Sequence, residues 1–263
     1  MRDKQLDSFY QTSEEYLAKI SSGSDEYYGE YVSFVAAYLP AESRYLDLGC
    51  GSGNTTEFLS HQYSVVGLDV SRLFLDHARG RNSELTFVQG SLTDLPFDDN
   101  SFDAAGLYNV IEHIPDIDQA VAEMSRVVKP GGLIFINAPN LLSPRYPLDV
   151  LRHRQRMTYE GEKTAIGLMQ MFIRNVTLLA LKRIGILRSY QMRKPILDTM
   201  FSDADAVWHC NPLDIARILR RHNTNILKYQ PMDYMSNKPL SGRVLNKVLP
   251  SSGGLVRIVA IKK

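Results

Sequence analysis

The chain predicts an α/β fold, a mostly parallel sheet doubly wound with helices on both faces, and three observations carry that prediction. From Arg44 onward, short apolar runs of strand type alternate with amphipathic helical runs. The first run, Tyr45-Leu46-Asp47-Leu48, enters Gly49-Cys50-Gly51-Ser52-Gly53 and then Asn54-Thr55-Thr56, which reads as strand, glycine-rich turn and helix start. The second, Val65-Val66-Gly67-Leu68, ends on Asp69, sixteen residues beyond Gly53, about where a carboxylate meets ribose hydroxyls in nucleotide-binding sheets.

Taken in order, the pattern predicts strand 44–48, helix 54–62, strand 64–69, helix 71–80, strand 85–88, strand 102–107, helix 117–128 and strand 133–138. Ahead of these, Phe9 to Ile20 and Glu26 to Leu39 read as two tyrosine-rich helices, separated by Ser21-Ser22-Gly23-Ser24 and closed by Pro40. Their tyrosines Tyr27, Tyr28 and Tyr31 suit either a lid or a core. After Ala138-Pro139-Asn140 the alternation stops for about seventy residues, then resumes with helix 212–222, strand 224–229 and a strand over 255–261. The gap is an insertion. It contains Tyr146 to Met157, loop-like or helical, and an apolar run over 166–187.

Composition narrows the class. A chain of 263 residues with 44% hydrophobic content suits one substantial core plus an insertion. Cys50 and Cys210 form no disulfide framework, and the six histidines, at 61, 77, 113, 153, 209 and 222, have no metal-ligand spacing, so no metal is expected. The polar start, Met1-Arg2-Asp3-Lys4, lacks the apolar stretch of a signal peptide, and a reducing cytoplasm is the expected location. A net charge of +1 hides a division: residues 1–144 sum to −12, residues 145–194 to +8 and residues 195–263 to +5.

Beyond the glycine loop, Gly90-Ser91-Leu92-Thr93-Asp94-Leu95-Pro96-Phe97, Ser101 to Leu107, Asn109-Val110-Ile111-Glu112-His113-Ile114 and Val128-Lys129-Pro130-Gly131-Gly132 follow in order. Together, over residues 43 to 138, they resemble the successive motifs of class I S-adenosylmethionine-dependent methyltransferases of the small-molecule type. A dinucleotide dehydrogenase would carry G-x-G-x-x-G, whereas the loop here is G-x-G-x-G. The resemblance implies a Rossmann-like, seven-stranded sheet whose sixth strand and antiparallel seventh are supplied by the last two strands. It divides the chain into an N-terminal helical lid (1–40), an S-adenosylmethionine-binding core (41–138), a helical basic insertion (139–210) and a completion of the sheet (211–263).

The resemblance also implies the site. The cofactor, S-adenosyl-L-methionine, would lie across Gly49, Gly51 and Gly53 with its methionine end near Asp47 and its ribose on Asp69. Asp69 suits a helix cap as well, since Ser71 and a helical run follow, and Asp47 suits an end-of-strand charge. Family members frequently carry an aspartate for the adenine amino group where this chain has Ser91. The serine hydroxyl, the backbone of Leu92 and a sandwich of Leu92 with Val70 are the expected substitutes, an ordinary turn the alternative. Asn109 flanks the same rim. Glu112 and His113 follow the fourth strand, where the transferable methyl is expected, and His113 suits a general base for a hydroxyl acceptor or a structural role. Tyr108-Asn109-Val110-Ile111 stands where amino-methylating members carry a prolyl-prolyl-aromatic motif, which disfavours DNA or glutamine N-methylation.

The insertion points to the acceptor. Run 166–187 is interrupted by Arg174, Lys182 and Arg183 and is expected not to span a membrane but to form an interfacial or lid helix, or to pack in its own domain or a homodimer. On a helical wheel Gln170, Arg174, Thr177 and Arg188 share one side, with Phe172, Leu179 and Ile186 towards the other. The surplus of positive charge over 145–194 suits phosphate groups or contact with the inner face of an anionic membrane. A weaker resemblance, through Asp203-Ala204-Asp205-Ala206-Val207-Trp208 and Asn211-Pro212-Leu213-Asp214-Ile215, is to methyltransferases of surface-polysaccharide and lipid-linked sugar pathways. O-methylation of a small or lipid-linked sugar acceptor is the expected reaction. A quinone or polyketide-like phenol, RNA, and a non-catalytic cofactor-binding subunit are the alternatives, with nucleic acid disfavoured by a near-neutral chain and no RNA module.

Overall fold

The computed structural model describes residues 4–23, 25–144, 147, 165–195, 197, 205–232 and 255–263. At its centre β1 (Arg44–Leu48) pairs in parallel with β2 (Ser64–Asp69) on one side and β4 (Phe102–Tyr108) on the other. Strand β3 (Thr86–Gln89) extends the sheet beyond β2, and β5 (Val128–Pro139) extends it beyond β4, both in parallel. Strands β6 (Thr224–Met232) and β7 (Leu255–Lys262) close the far side, with β7 antiparallel to both neighbours. The spatial order is β3-β2-β1-β4-β5-β7-β6, the seven-stranded, mostly parallel arrangement expected.

Helices α4 (Asn54–Ser60), α5 (Arg72–Arg81), α6 (Ile117–Val127) and α8 (Pro212–Arg221) fall within two residues of their predicted ends. Helix α6 shows why: Ile117, Val121, Met124 and Val127 recur at helical spacing and are all buried, and the Asp116 side chain accepts from the Gln119 amide at the start. Strand β5 is longer than predicted. Val128 turns to extended geometry directly after α6 and pairs with Phe102, and Gly132 lies so close to the Asp103 carbonyl that a β-carbon there would collide.

The amino-terminal stretch is three helices rather than two: α1 (Lys4–Thr12), α2 (Glu14–Ser21) and α3 (Asp25–Ala36). Ser13 makes the extra break, its hydroxyl accepting from the Tyr16 amide to cap α2. Ser71 donates to the Tyr10 carbonyl, Gln11 donates to the Val70 carbonyl and the Arg72 amide donates to Gln11, which ties α1 to the β2–α5 turn. Asn54 donates to the Ile20 carbonyl and ties α2 to the start of α4.

In the insertion, α7 (Ala165–Arg183) realises most of the apolar run. By length and composition alone it is apolar enough to cross a membrane, with a mean hydropathy of 1.2, because Arg183 falls at its end and no longer interrupts it. The helix nevertheless docks on the domain. Lys182 is buried against Asp214 at 2.8 Å, Asn175 donates to the Ser143 carbonyl, and Leu179 is buried beside them. The wheel expectation is therefore corrected: Leu179 is covered, while Phe172 and Ile186 are exposed. The 146–157 segment, with Arg152, Arg154 and Arg156, lies outside the described residues apart from Pro147.

Candidate active site

The glycine loop is bent into place by its own backbone. Gly49, Gly51 and Gly53 all have positive φ, and the Gly49 and Cys50 amides both donate to the Leu68 carbonyl, which binds the end of β1 to the end of β2. A β-carbon on Gly49 would lie 2.6 Å from the Val110 side chain, so only glycine admits this crossing. Asp69 then ties the loop to α5: one carboxylate oxygen accepts from the Gly51 amide at 2.9 Å and the other from the Ser71 amide at 2.8 Å. Burial raises its pKa against the pull of these backbone donors. The helix-cap reading of Asp69 is corrected. Ser71 is the helix cap itself, and Asp69 keeps a second lone pair on each oxygen at the wall of a cavity.

That cavity measures about 820 Å³, within the range of small-molecule sites. Gly49, Gly51, Asp69, Val70, Ser91, Leu92, Asn109 and His113 all line it. Three expected site residues lie elsewhere. Asp47 is buried beneath the loop, where it accepts from the Thr56 hydroxyl at 2.7 Å, and burial pushes its pKa up to about 7. Gly53 is the buried start of α4, packed against Ala78 and Phe87. Glu112, expected at the rim, is fully buried because the 3-10 turn Ile111–His113 folds its side chain inward. Where Ser91 is expected to meet adenine, its hydroxyl is engaged with Thr93 at 2.9 Å, and Thr93 itself joins the wall.

The amino-terminal helices supply the part of the wall that motif reading missed. Tyr10, Tyr16, Lys19 and Tyr28 all face the cavity, whereas Tyr31 is a core residue hydrogen-bonded to Tyr45 and Tyr27 is exposed. Only the tyrosine-rich pattern hinted at this. Tyr10 also donates to Asp205 at 2.6 Å, and Asp205 lies 3.3 Å from His113 Nδ1. The Glu112 carboxylate lies 3.6 Å from Nε2 of the same ring. Burial alone would raise the Asp205 carboxyl, but His113 and the Tyr10 hydroxyl outweigh it and hold it below the ordinary carboxylate range. Tyr10 is pushed well up by burial and then by Asp205, so it stays a proton donor.

Asp205 arrives from more than ninety residues away along the chain. The Val207 amide donates to the Glu112 carbonyl and the Trp208 indole donates to the Ile111 carbonyl at 2.8 Å, which clamps 205–208 against the 3-10 turn. Trp208 and Ala206 are fully buried, so the clamp is anchored in the core. Among the described residues no cluster of histidine, cysteine and acidic side chains is placed to hold a metal ion.

The residues present fit a nucleoside-bearing ligand. Gly49 and Gly51 present backbone without a side chain to the cavity, the Asp69 carboxylate is poised at the wall, and Val70 and Leu92 offer apolar faces. Comparison with known proteins agrees. Residues 46–136 match the family model described as a methyltransferase domain. A probable S-adenosylmethionine-dependent methyltransferase of Mycolicibacterium smegmatis is 34% identical over 99 residues, 37% of this chain and 38% of that one. A demethylmenaquinone methyltransferase of Staphylococcus carnosus is 41% identical over 98 residues, 35% of this chain and 41% of that one. The chain spans 31–56% of the length of the first curated relatives it matches. An S-adenosylmethionine-dependent methyltransferase from Mesorhizobium loti shares the fold, with a TM-score of 0.59 at 17% identity over 89% of this chain and 98% of that one. Residues 46–136 carry a methyltransferase domain, similar to that of S-adenosylmethionine-dependent methyltransferases. S-adenosyl-L-methionine is the cofactor that this likeness implies.

Proposed function

We propose that the protein transfers the methyl group of S-adenosylmethionine to a hydroxyl of an amphiphilic acceptor, with a lipid-linked sugar as the class. The observation that carries the hydroxyl is His113 at the cavity wall, with Asp205 beside Nδ1. When bound, S-adenosylmethionine would supply an electrophilic methyl on a sulfonium, with the neutral thioether as leaving group. Everything else falls to the chain. Asp205 favours the proton on Nδ1 and leaves Nε2 to take the acceptor's proton as its oxygen bonds to carbon. Glu112 and Asp205 together then favour the imidazolium that results. Tyr10 holds Asp205 in place, and residues of the helices α1 to α3 line the site, where a lid would sit.

A lipophilic quinone is the second reading, favoured by the likeness to demethylmenaquinone methyltransferases over the core. The test incubates the protein with methyl-labelled S-adenosylmethionine and a bacterial membrane extract, then partitions the label. Label in organic solvent that is released into water by mild acid supports a lipid-linked sugar; acid-stable organic label favours the quinone; water-soluble label overturns both. His113→Ala should lower kcat by about 10²–10⁴ with cofactor binding unchanged. Asp69→Ala should instead abolish that binding.

A further inference from the structure

The corner where α7 meets α8 is built inside out. Lys182 and Asp214, both fully buried, form an ion pair at 2.8 Å, and Arg217 adds a second contact to Asp214 at 2.9 Å. The same cations clasp the turn after α7. Lys182 donates to the Ser189 carbonyl at 2.6 Å, and Arg217 donates to the Arg188 carbonyl at 3.3 Å. Gly185, at φ +79°, lets the chain reverse there. The turn is thus held from below by polar bonds, while Ile184 and Ile186 project from it at 68% and 72% exposure. Seven of the ten large exposed apolar residues described in the protein lie between 166 and 192. A clasped turn that displays isoleucines is a built surface.

Charge says what covers it. From 165 to 197 the sequence has six basic residues and no acidic one. Beside the turn, a cavity of about 420 Å³ is lined by Lys182, Arg183, Leu213, Arg217, Arg220 and Arg221. Two of these answer Asp214 and Arg221 reaches Asp118, while Arg183 and Arg220 are exposed to solvent. A second copy of the chain on this face would set arginine against arginine. Nucleic acid would satisfy the arginines and leave two aliphatic side chains in water, where base stacking calls for aromatic ones. An anionic bilayer meets both demands, since phosphates answer the arginines at headgroup depth and the isoleucines enter the acyl boundary.

We infer that the α7–α8 corner, through Ile184 and Ile186 with Arg183 and Arg220, is a docking surface for anionic phospholipid membranes. It stands apart from the identity of the methyl acceptor. The test is flotation of the full chain with vesicles of phosphatidylcholine alone or mixed with phosphatidylglycerol, at low and high salt. Binding should require phosphatidylglycerol and weaken with salt. Arg183→Glu with Arg220→Glu should reduce it by more than about tenfold, from roughly fivefold per arginine. Ile184→Ser with Ile186→Ser should also reduce it, and both variants should bind S-adenosylmethionine normally, which certifies their fold. Absence of binding to the mixed vesicles, equal binding to both vesicle types, or unchanged binding in either variant would overturn the inference. So would an oligonucleotide that competes the vesicles away, or a dimer that the isoleucine variant dissociates.

Discussion

The sheet with its cofactor cavity and the α7–α8 corner bury opposite things. In the first, α6 puts Ile117, Val121 and Met124 inside, and a buried acid, Asp47, accepts from the neutral Thr56 hydroxyl. In the second, the buried acid, Asp214, is held by Lys182 and Arg217, and the apolar side chains Ile166, Phe172, Ile173, Ile184 and Ile186 are outside. The difference teaches how each region meets its surroundings. The core is stabilised by apolar burial and leaves Asp47 proton-prone, whereas the corner is fastened by a charge cluster and keeps its apolar area for something beyond the domain.

The largest expected effect comes from breaking the corner. Asp214→Ala leaves Lys182 buried without its carboxylate and should cost about 3–5 kcal/mol in urea unfolding, whereas a variant as stable as the parent would reduce the cluster to decoration. Within the core, Met124→Ala should cost about 2–5 kcal/mol by the same measurement, since Met124 is fully buried in the main cluster. A smaller effect separates the two acids. Burial raises Asp47 from 3.8 to about 7, so between those values the folded chain holds a proton that the unfolded chain has released. The stability this lends is complete below 3.8 and is lost as the pH climbs through 7. Asp47→Asn lacks that loss, so its Tm, without cofactor, should gain on the parent as pH rises across this window. Parallel curves would show that Asp47 ionises freely. The smallest effect lies on the outer face of α7: Phe172→Ala, at 45% exposure, should leave stability within about 0.5 kcal/mol.

Sequence by itself determined the sheet and part of the cavity wall. Short apolar runs mark β1, β2 and β4, helical spacing marks α6, and the glycines at 49 and 51 with Asp69 lie close in sequence to the strand ends that carry them. These are local signals, and the pairing of consecutive strands makes them spatial. Tertiary structure alone decided the rest. Asp205 gains its place beside His113 only because Val207 and Trp208 bind the 3-10 turn, a pairing with no sequence period. Tyr10 reaches Asp205 only because α1 docks on the β2–α5 turn. Glu112 and Asp47 could be named as carboxylates near the site but not as buried ones, because burial depends on what distant segments cover. Lys182 illustrates the same limit. Counted along the chain it is one more surface cation, and only the arrival of Asp214 from α8 turns it into the fastening of the corner.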